Sequence, residues 1–153
     1  MKYFIFFLLV NSIPIGTLGI EKNIFLSTKY NEVNLRNGPG TNHIINLKFL
    51  KKGIPLKVID KYESWYRIID YSGEKGWISK NQLSKNRYGI VKKSQVEVKI
   101  FPNQNSKIKA ILYKNIVFRI LKCKLRWCKI NVEGNNAWIK KDNFWGVQKE
   151  ELF

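Results

Sequence analysis

Residues 64–83, SWYRIIDYSGEKGWISKNQL, and residues 126–144, RWCKINVEGNNAWIKKDNF, are two versions of one pattern. Trp65 falls on Trp127 and Trp77 on Trp138, with a small drift in offset that one-residue loop deletions explain. Upstream, VNLRNGPG (33–40) falls on VEVKIFPN (96–103), which sets Val33 over Val96, Leu35 over Val98, Arg36 over Lys99 and Pro39 over Pro102. Self-similarity at a fixed period marks a repeated structural unit, here of roughly 60 residues.

Inside each copy the elements are short, rich in Val, Ile, Tyr, Phe and Trp, and separated by glycine and asparagine turns, which is a strand pattern. KVID (57–60), WYRIID (65–70) and GWIS (76–79) read as strands, as do FRILKC (118–123), WCKINV (127–132) and AWIK (137–140). YSGEKG and EGNN are the matching hairpin turns. A unit of this size is too small for a sandwich and suits a five-stranded barrel. The connecting segment SKNRYGIVKKS (84–94) has no flexible Gly/Ser/Pro stretch, so the two barrels are expected to pack together.

The combination of L-R-x-G-P-G at 35–40, K-K-G at 51–53, a W-x-R-I strand at 65–68 and G-W-I at 76–78 resembles the bacterial SH3-like domain. The second copy, with Cys123, Trp127-Cys128, Ala137-Trp138-Ile139 and the stretch FWGVQKEE (144–151), looks like the paired form found in exported Gram-negative proteins. The resemblance covers residues 29–149. In the second copy Ile100, Phe101 and Asn103 replace the usual turn residues, and Ala137 replaces the glycine before Trp138. The fold expected is all-β: two tandem SH3-like β-barrels, residues 29–85 and 90–149, after an N-terminal signal segment. The resemblance implies peptidoglycan or a wall-associated protein as the ligand class.

Gly38, Pro39 and Gly40 are not a phosphate-gripping loop, since that needs a longer glycine-rich run ending in Gly-Lys-Ser/Thr and leading into a helix. They read as a structural corner: the glycines are free to take positive φ and Pro39 fixes its own φ. A direct ligand role for Arg36 is the alternative.

The first residues, MKYFIFFLLVNSIPIGTLGIEK, carry Lys2, an apolar run from Tyr3 to Val10, Pro14, and small residues around Thr17 and Gly19. These are the parts of a secretory signal, residues 1–19, with cleavage expected near Gly19. An uncleaved anchor is the alternative; the run is too short for the roughly 20 apolar residues of a membrane span. Export points to the periplasm and to a short cross-strand disulfide between Cys123 and Cys128, with two buried free thiols as the other reading. A four-ligand zinc site from Cys and His is not available, because His43 is the single histidine. No metal or cofactor is expected.

No nucleophile with a base and no paired carboxylates stand out, so an enzyme is not expected. His43 lies alone in a loop, and Asp60, Glu63, Asp70 and Glu74 fall at strand ends and turns. The aromatics carry more. Strand alternation puts Tyr66 and Ile68 on one face and Trp65 and Arg67 on the other; Cys128, Ile130 and Val132 oppose Trp127 and Lys129. The apolar faces must be core, which turns Trp65 and Trp127 outward, each beside a basic residue. Tyr62, Trp65 and Arg67 in the first copy, and Arg126, Trp127 and Lys129 in the second, are the candidate ligand-binding residues. The competing reading packs these tryptophans against the long loop or the other barrel. Trp77 and Trp138 read as structural.

With 28 Lys+Arg against 11 Asp+Glu, the net charge of +17 favours anionic neighbours. Outside the cytoplasm these are the cell wall or an anionic membrane surface. The function expected is an exported, non-enzymatic binding or scaffolding module of the cell envelope. A basic polyanion or nucleic-acid binder is the alternative, because aromatics on a basic small barrel also hold single strands; the signal segment argues against it.

Overall fold

The computed structural model describes residues 24–153; the expected signal segment, residues 1–19, and its expected cleavage near Gly19 lie outside them. Among the described residues no helix is long and apolar enough to cross a membrane. The first half forms β1 (Phe25–Thr28), β2 (Val33–Arg36), β3 (Ile45–Phe49), β4 (Pro55–Tyr62), β5 (Trp65–Ile69), β6 (Lys75–Ser79) and β7 (Leu83–Ser84). The second half forms β8 (Tyr88–Val91), β9 (Gln95–Lys99), β10 (Ile108–Tyr113), β11 (Val117–Cys123), β12 (Trp127–Val132), β13 (Asn135–Lys140) and β14 (Phe144–Trp145). The two seven-stranded sheets have one topology, β3-β2-β6-β5-β4-β1-β7 and β10-β9-β13-β12-β11-β8-β14. A short 3-10 turn, Lys80–Gln82 or Lys141–Asn143, leads into the last strand of each.

The duplication holds at the level of single hydrogen bonds. Arg36 pairs with Trp77 as Lys99 pairs with Trp138. The Gly53 amide donates to Thr28 as that of Asn115 donates to Val91, and both donors hold positive φ. Lys80 donates to the Ser64 carbonyl as Lys141 donates to that of Arg126.

Seven strands form where five per barrel were expected. The extra elements carry no alternation to read: all four residues of β1 are buried, and β7 and β14 are two residues long. Strand β1 lies ahead of residue 29, and β8 falls inside the segment read as a connector.

Each sheet encloses its own core. Val33, Leu35, Leu56, Val58, Ile68 and Ile78 fill the first. Val96, Val98, Phe118, Ile120, Ile130 and Ile139 fill the second. Similar volumes are reached with different side chains. Leu26 and Leu56 face each other across β1 and β4, with Leu83 beside them; the matching positions of the second repeat hold Gly89, Phe118 and Phe144. The two phenyl rings pack edge to face at 5.2 Å, and a Cβ on Gly89 would meet both at 2.7 Å. Likewise a Cβ on Gly76 would sit 2.7 Å from Leu35 Cγ, whereas the second repeat pairs Ala137 with the shorter Val98. Close-packed interiors tolerate such exchanges when volume is conserved.

The halves meet through a separate set of residues. Trp145 stands edge-on to Phe25 with ring centres 4.9 Å apart, and the Tyr71 ring lies 6.5 Å from it. The Ser27 hydroxyl donates to the Asn86 carbonyl at 2.8 Å. Arg87, from the connector, places its guanidinium 5.8 Å from the Phe25 ring centre and 4.8 Å from that of Phe153. The same group forms a two-pronged ion pair with Glu151 and donates to the Gly146 carbonyl at 2.8 Å. Backbone bonds between Cys123 and Phe153 in both directions hold the last residues against β11. Lys141 donates to the carbonyls of Lys149 and Glu151 at 3.0 and 2.6 Å. Burial draws the Lys141 pKa below the usual lysine value, against the opposing pull of Glu151 and Glu150.

Gly89→Leu is expected to cost about 3 kcal/mol by overpacking. Gly89→Leu combined with Phe118→Leu and Phe144→Leu should recover most of that in urea unfolding, because it rebuilds the core of the first repeat. A triple variant as unstable as the single one would show that the cores are not interchangeable.

Candidate functional site

Strand alternation places the tryptophans as the sequence indicates. Ile68 and Ile130 are fully buried, while Trp65 and Trp127 are half-buried on the outer face of their sheets. In the first repeat Tyr62 and Trp65 are direct cross-strand neighbours at the β4–β5 tip, and Arg67 follows on the same face, opposite Asp60 and Trp77. Tyr62 is 53% exposed. The Lys80 ammonium lies 5.0 Å from the centre of the Tyr66 ring and donates to the Glu63 carbonyl, which braces this tip.

The second repeat is built more elaborately. Trp127 pairs across β12–β13 with Lys140, whose ammonium sits 5.5 Å from the indole centre, a cation–π contact. Lys129 pairs with Trp138 on the same outer face. Trp138 is buried, at 9% exposure, with the Lys122 and Lys124 ammoniums 5.8 and 5.7 Å from its ring. Its structural role is thus to support a basic outer surface. Arg126 is exposed at the β11–β12 tip.

Three hollows lie at this end of the repeat, two of them lined by Trp127. One of about 360 Å³ has Trp127, Lys140, Lys99, Lys93, Glu97 and Asp142 in its lining. A second, of about 500 Å³, lies between Pro102, Lys124, Leu125, Arg126 and Trp127. A third, of about 430 Å³, shares Leu125, Arg126, Lys140 and Asp142 and adds Lys141, Lys149 and Glu150. The Trp127 ring is therefore the ridge between two grooves, with the long β9–β10 loop flanking it through Pro102 and Gln104. Ring contacts between the repeats are made by Phe25, Tyr71 and Trp145, while the long loop, the other neighbour in the competing reading, lies beside Trp127 through Pro102 and Gln104.

Lys140, Leu125 and Pro102 were not singled out from the sequence. The signal for Lys140 and Leu125 was divergence between the copies, Lys140 standing where the first repeat has Ser79 and Leu125 where it has Glu63, whereas Pro102 matches Pro39 and carried none.

Cys123 and Cys128 are disulfide-bonded, as a cross-strand pair that closes the hairpin carrying Lys124, Leu125, Arg126 and Trp127. The first repeat has Lys61 and Tyr66 as the corresponding pair.

The corner at 38–40 forms for a different reason from the one expected. Neither Gly38 nor Gly40 holds positive φ. Glycine is needed because side chains lie over this stretch: a Cβ on Gly38 would come within 2.5 Å of the His43 ring, and one on Gly40 within 2.6 Å of Asn42 Oδ1 and 3.2 Å of the His43 ring. The second repeat makes the same backbone bonds with Phe101 and Asn103, because Ser106 replaces His43 there and its hydroxyl accepts from the Phe101 amide at 2.9 Å. Arg36 donates to the His43 carbonyl at 2.6 Å, so its guanidinium closes the loop. The Asp70 carboxylate accepts three bonds from Ser72 and Glu74 and organises the β5–β6 turn.

A family model described as the bacterial SH3 domain matches residues 29–85 and again residues 92–146. The chain belongs to the bacterial SH3 domain family. No curated protein matches it. Among solved structures, these SH3 repeats are similar to NlpC2 and NlpC1 from Trichomonas vaginalis, at 15% and 14% identity and a TM-score of 0.38 each. The matches cover 82% of this chain and 49% and 46% of those proteins. An NlpC/P60 family protein from Bacillus cereus is 15% identical, with a TM-score of 0.35, and the match covers 82% of this chain and 58% of that one. The chain thus spans about half the length of each of these proteins.

The burial difference between the tryptophans sets a stability test. Trp138→Ala should cost about 3 kcal/mol or more, and Trp127→Ala about 1 kcal/mol, in urea unfolding. Equal costs would mean that the Trp127 ring is a packing element.

Proposed function

We propose that this protein is an exported, non-enzymatic binding module of the periplasmic envelope, and that it holds peptidoglycan or a wall-associated protein on the Trp127 face. Membership in a family whose domains commonly bind cell-wall components supports the ligand class. The single observation that carries the site is the Trp127 ring, half exposed, backed by Lys140 and standing between open grooves with Lys93, Lys124 and Arg126 around it. A flat aromatic face stacks on a sugar ring or an apolar side chain, and the cations pair with carboxylates of a wall peptide. Grooves at the rim of a small rigid barrel need little reorganisation on binding. Tyr62, Trp65 and Arg67 form a second, shallower platform on the first repeat.

The non-enzymatic reading is supported by the uses of the polar groups. Two of the candidate acids have local structural partners: Asp70 organises the β5–β6 turn, and Asp60, inside β4 and not at a strand end, accepts from the Lys61 amide.

Cosedimentation with purified peptidoglycan across a salt series tests this reading. Binding should persist near physiological salt and weaken about tenfold (~1.4 kcal/mol) in a folded Trp127→Ala variant, with a smaller loss for Trp65→Ala. Binding that vanishes with modest salt and ignores both tryptophans would favour a generic polyanion binder, the reading the net charge alone supports.

A further inference from the structure

We infer that the disulfide-closed tip between β11 and β12, together with the β9–β10 loop beside it, is a docking end for an anionic lipid surface. Leu125, at the tip, is 77% exposed, and Phe101, in the neighbouring loop, is 63% exposed. Pro102 and Leu125 border the same hollow, so the two loops lie side by side. Lys124 and Arg126 flank Leu125 in sequence, and Lys122, Lys140 and Lys149 extend the basic rim; Asp142 and Glu150 are the acidic groups nearby. An apolar tip inside a basic rim fits a surface with hydrocarbon beneath and phosphate above.

The first repeat serves as an internal control. Its tip carries Glu63 and Ser64, and its long loop carries Gly38, at the positions of Leu125, Arg126 and Phe101. The backbone is bonded alike in both: Lys80 to Ser64 as Lys141 to Arg126, Gly40 to Gly38 as Asn103 to Phe101, and Asn37 to Ile44 as Ile100 to Lys107. The fold therefore does not require Leu125 or Phe101, and their exposure leaves them little part in the core. The apolar exchanges in two adjacent loops, and the disulfide that staples one of them, all fall at one end of one repeat. A stapled hairpin presents its tip with little ordering cost on contact.

A glycan strand offers Leu125 no hydrocarbon to bury against, whereas a bilayer does. The inference thus goes beyond wall binding: Leu125 and Phe101 carry it, while the basic rim of Lys124, Arg126 and Lys140 is shared with the Trp127 platform.

The test is flotation of the full chain with vesicles of phosphatidylglycerol and brominated phosphatidylcholine, against phosphatidylcholine vesicles alone, reading both bound fraction and tryptophan quenching. The expected result is binding to anionic vesicles, with quenching that falls sharply in Trp127→Phe and an affinity that drops at least about tenfold in Leu125→Asp and in Phe101→Asp. Vesicle binding unchanged in Leu125→Asp, through whichever other segment, would overturn the inference. So would an absence of vesicle binding by a chain that still sediments with peptidoglycan, which would leave the wall reading standing and turn this end toward an acidic protein. Leu125→Asp that loses vesicles and keeps peptidoglycan would separate the two surfaces.

Discussion

Arg87 is the constraint on which the arrangement of the two repeats depends. Its guanidinium lies between Phe25 of the first repeat and Phe153 near the end of the chain, and it is paired at both nitrogens with Glu151. Both partners are mostly withdrawn from solvent, so removing either would leave a charge without its compensation. One side chain thereby fixes the first strand of one repeat, the connector and the final residues of the other. Those final residues in turn bond to Cys123, at the base of the hairpin that carries the candidate site. The connector is thus a structural strand with a clamp in front of it.

The repeats share a skeleton and differ in how each position is filled. Hydrogen bonds recur pair by pair, while the side chains exchange in compensating sets: Leu26, Leu56 and Leu83 for Gly89, Phe118 and Phe144, and Leu35 with Gly76 for Val98 with Ala137. Volume conservation makes the core of one repeat a poor guide to function, since many fillings serve. Divergence at exposed positions is more telling. Glu63 against Leu125 and Ser79 against Lys140 change the chemistry of one surface without changing the backbone that presents it, and the buried Cys123–Cys128 disulfide stands behind that surface where the first repeat has Lys61 and Tyr66.

Much of this was legible in the sequence because a barrel strand records its two faces in alternation. The inward Ile68 and Ile130 and the outward Trp65 and Trp127 follow from period two, while the disulfide between Cys123 and Cys128 was read from the expected export. What was not legible lacked that period. Strand β1 is buried on both faces, and β8 contains a glycine fitted under two phenyl rings. The glycines of the corner at 38–40 look conformational in sequence, yet they make room for His43, a neighbour visible only in space. At the candidate site the outward tryptophans were readable one strand at a time. Lys140 above Trp127 required the pairing of β12 with β13, and the grooves required the position of the long loop.

The picture that results is asymmetric: a first repeat that is mainly a braced support and a second that presents Trp127, Lys140 and Arg126 to a ligand. Amide chemical-shift mapping of the labelled chain during titration with soluble peptidoglycan fragments tests that asymmetry directly. Shifts confined to residues 101–104, 124–129 and 138–142, with the first repeat silent, are the predicted result. Shifts centred on Tyr62, Trp65 and Arg67, or spread evenly over the lysines of both repeats, would contradict it.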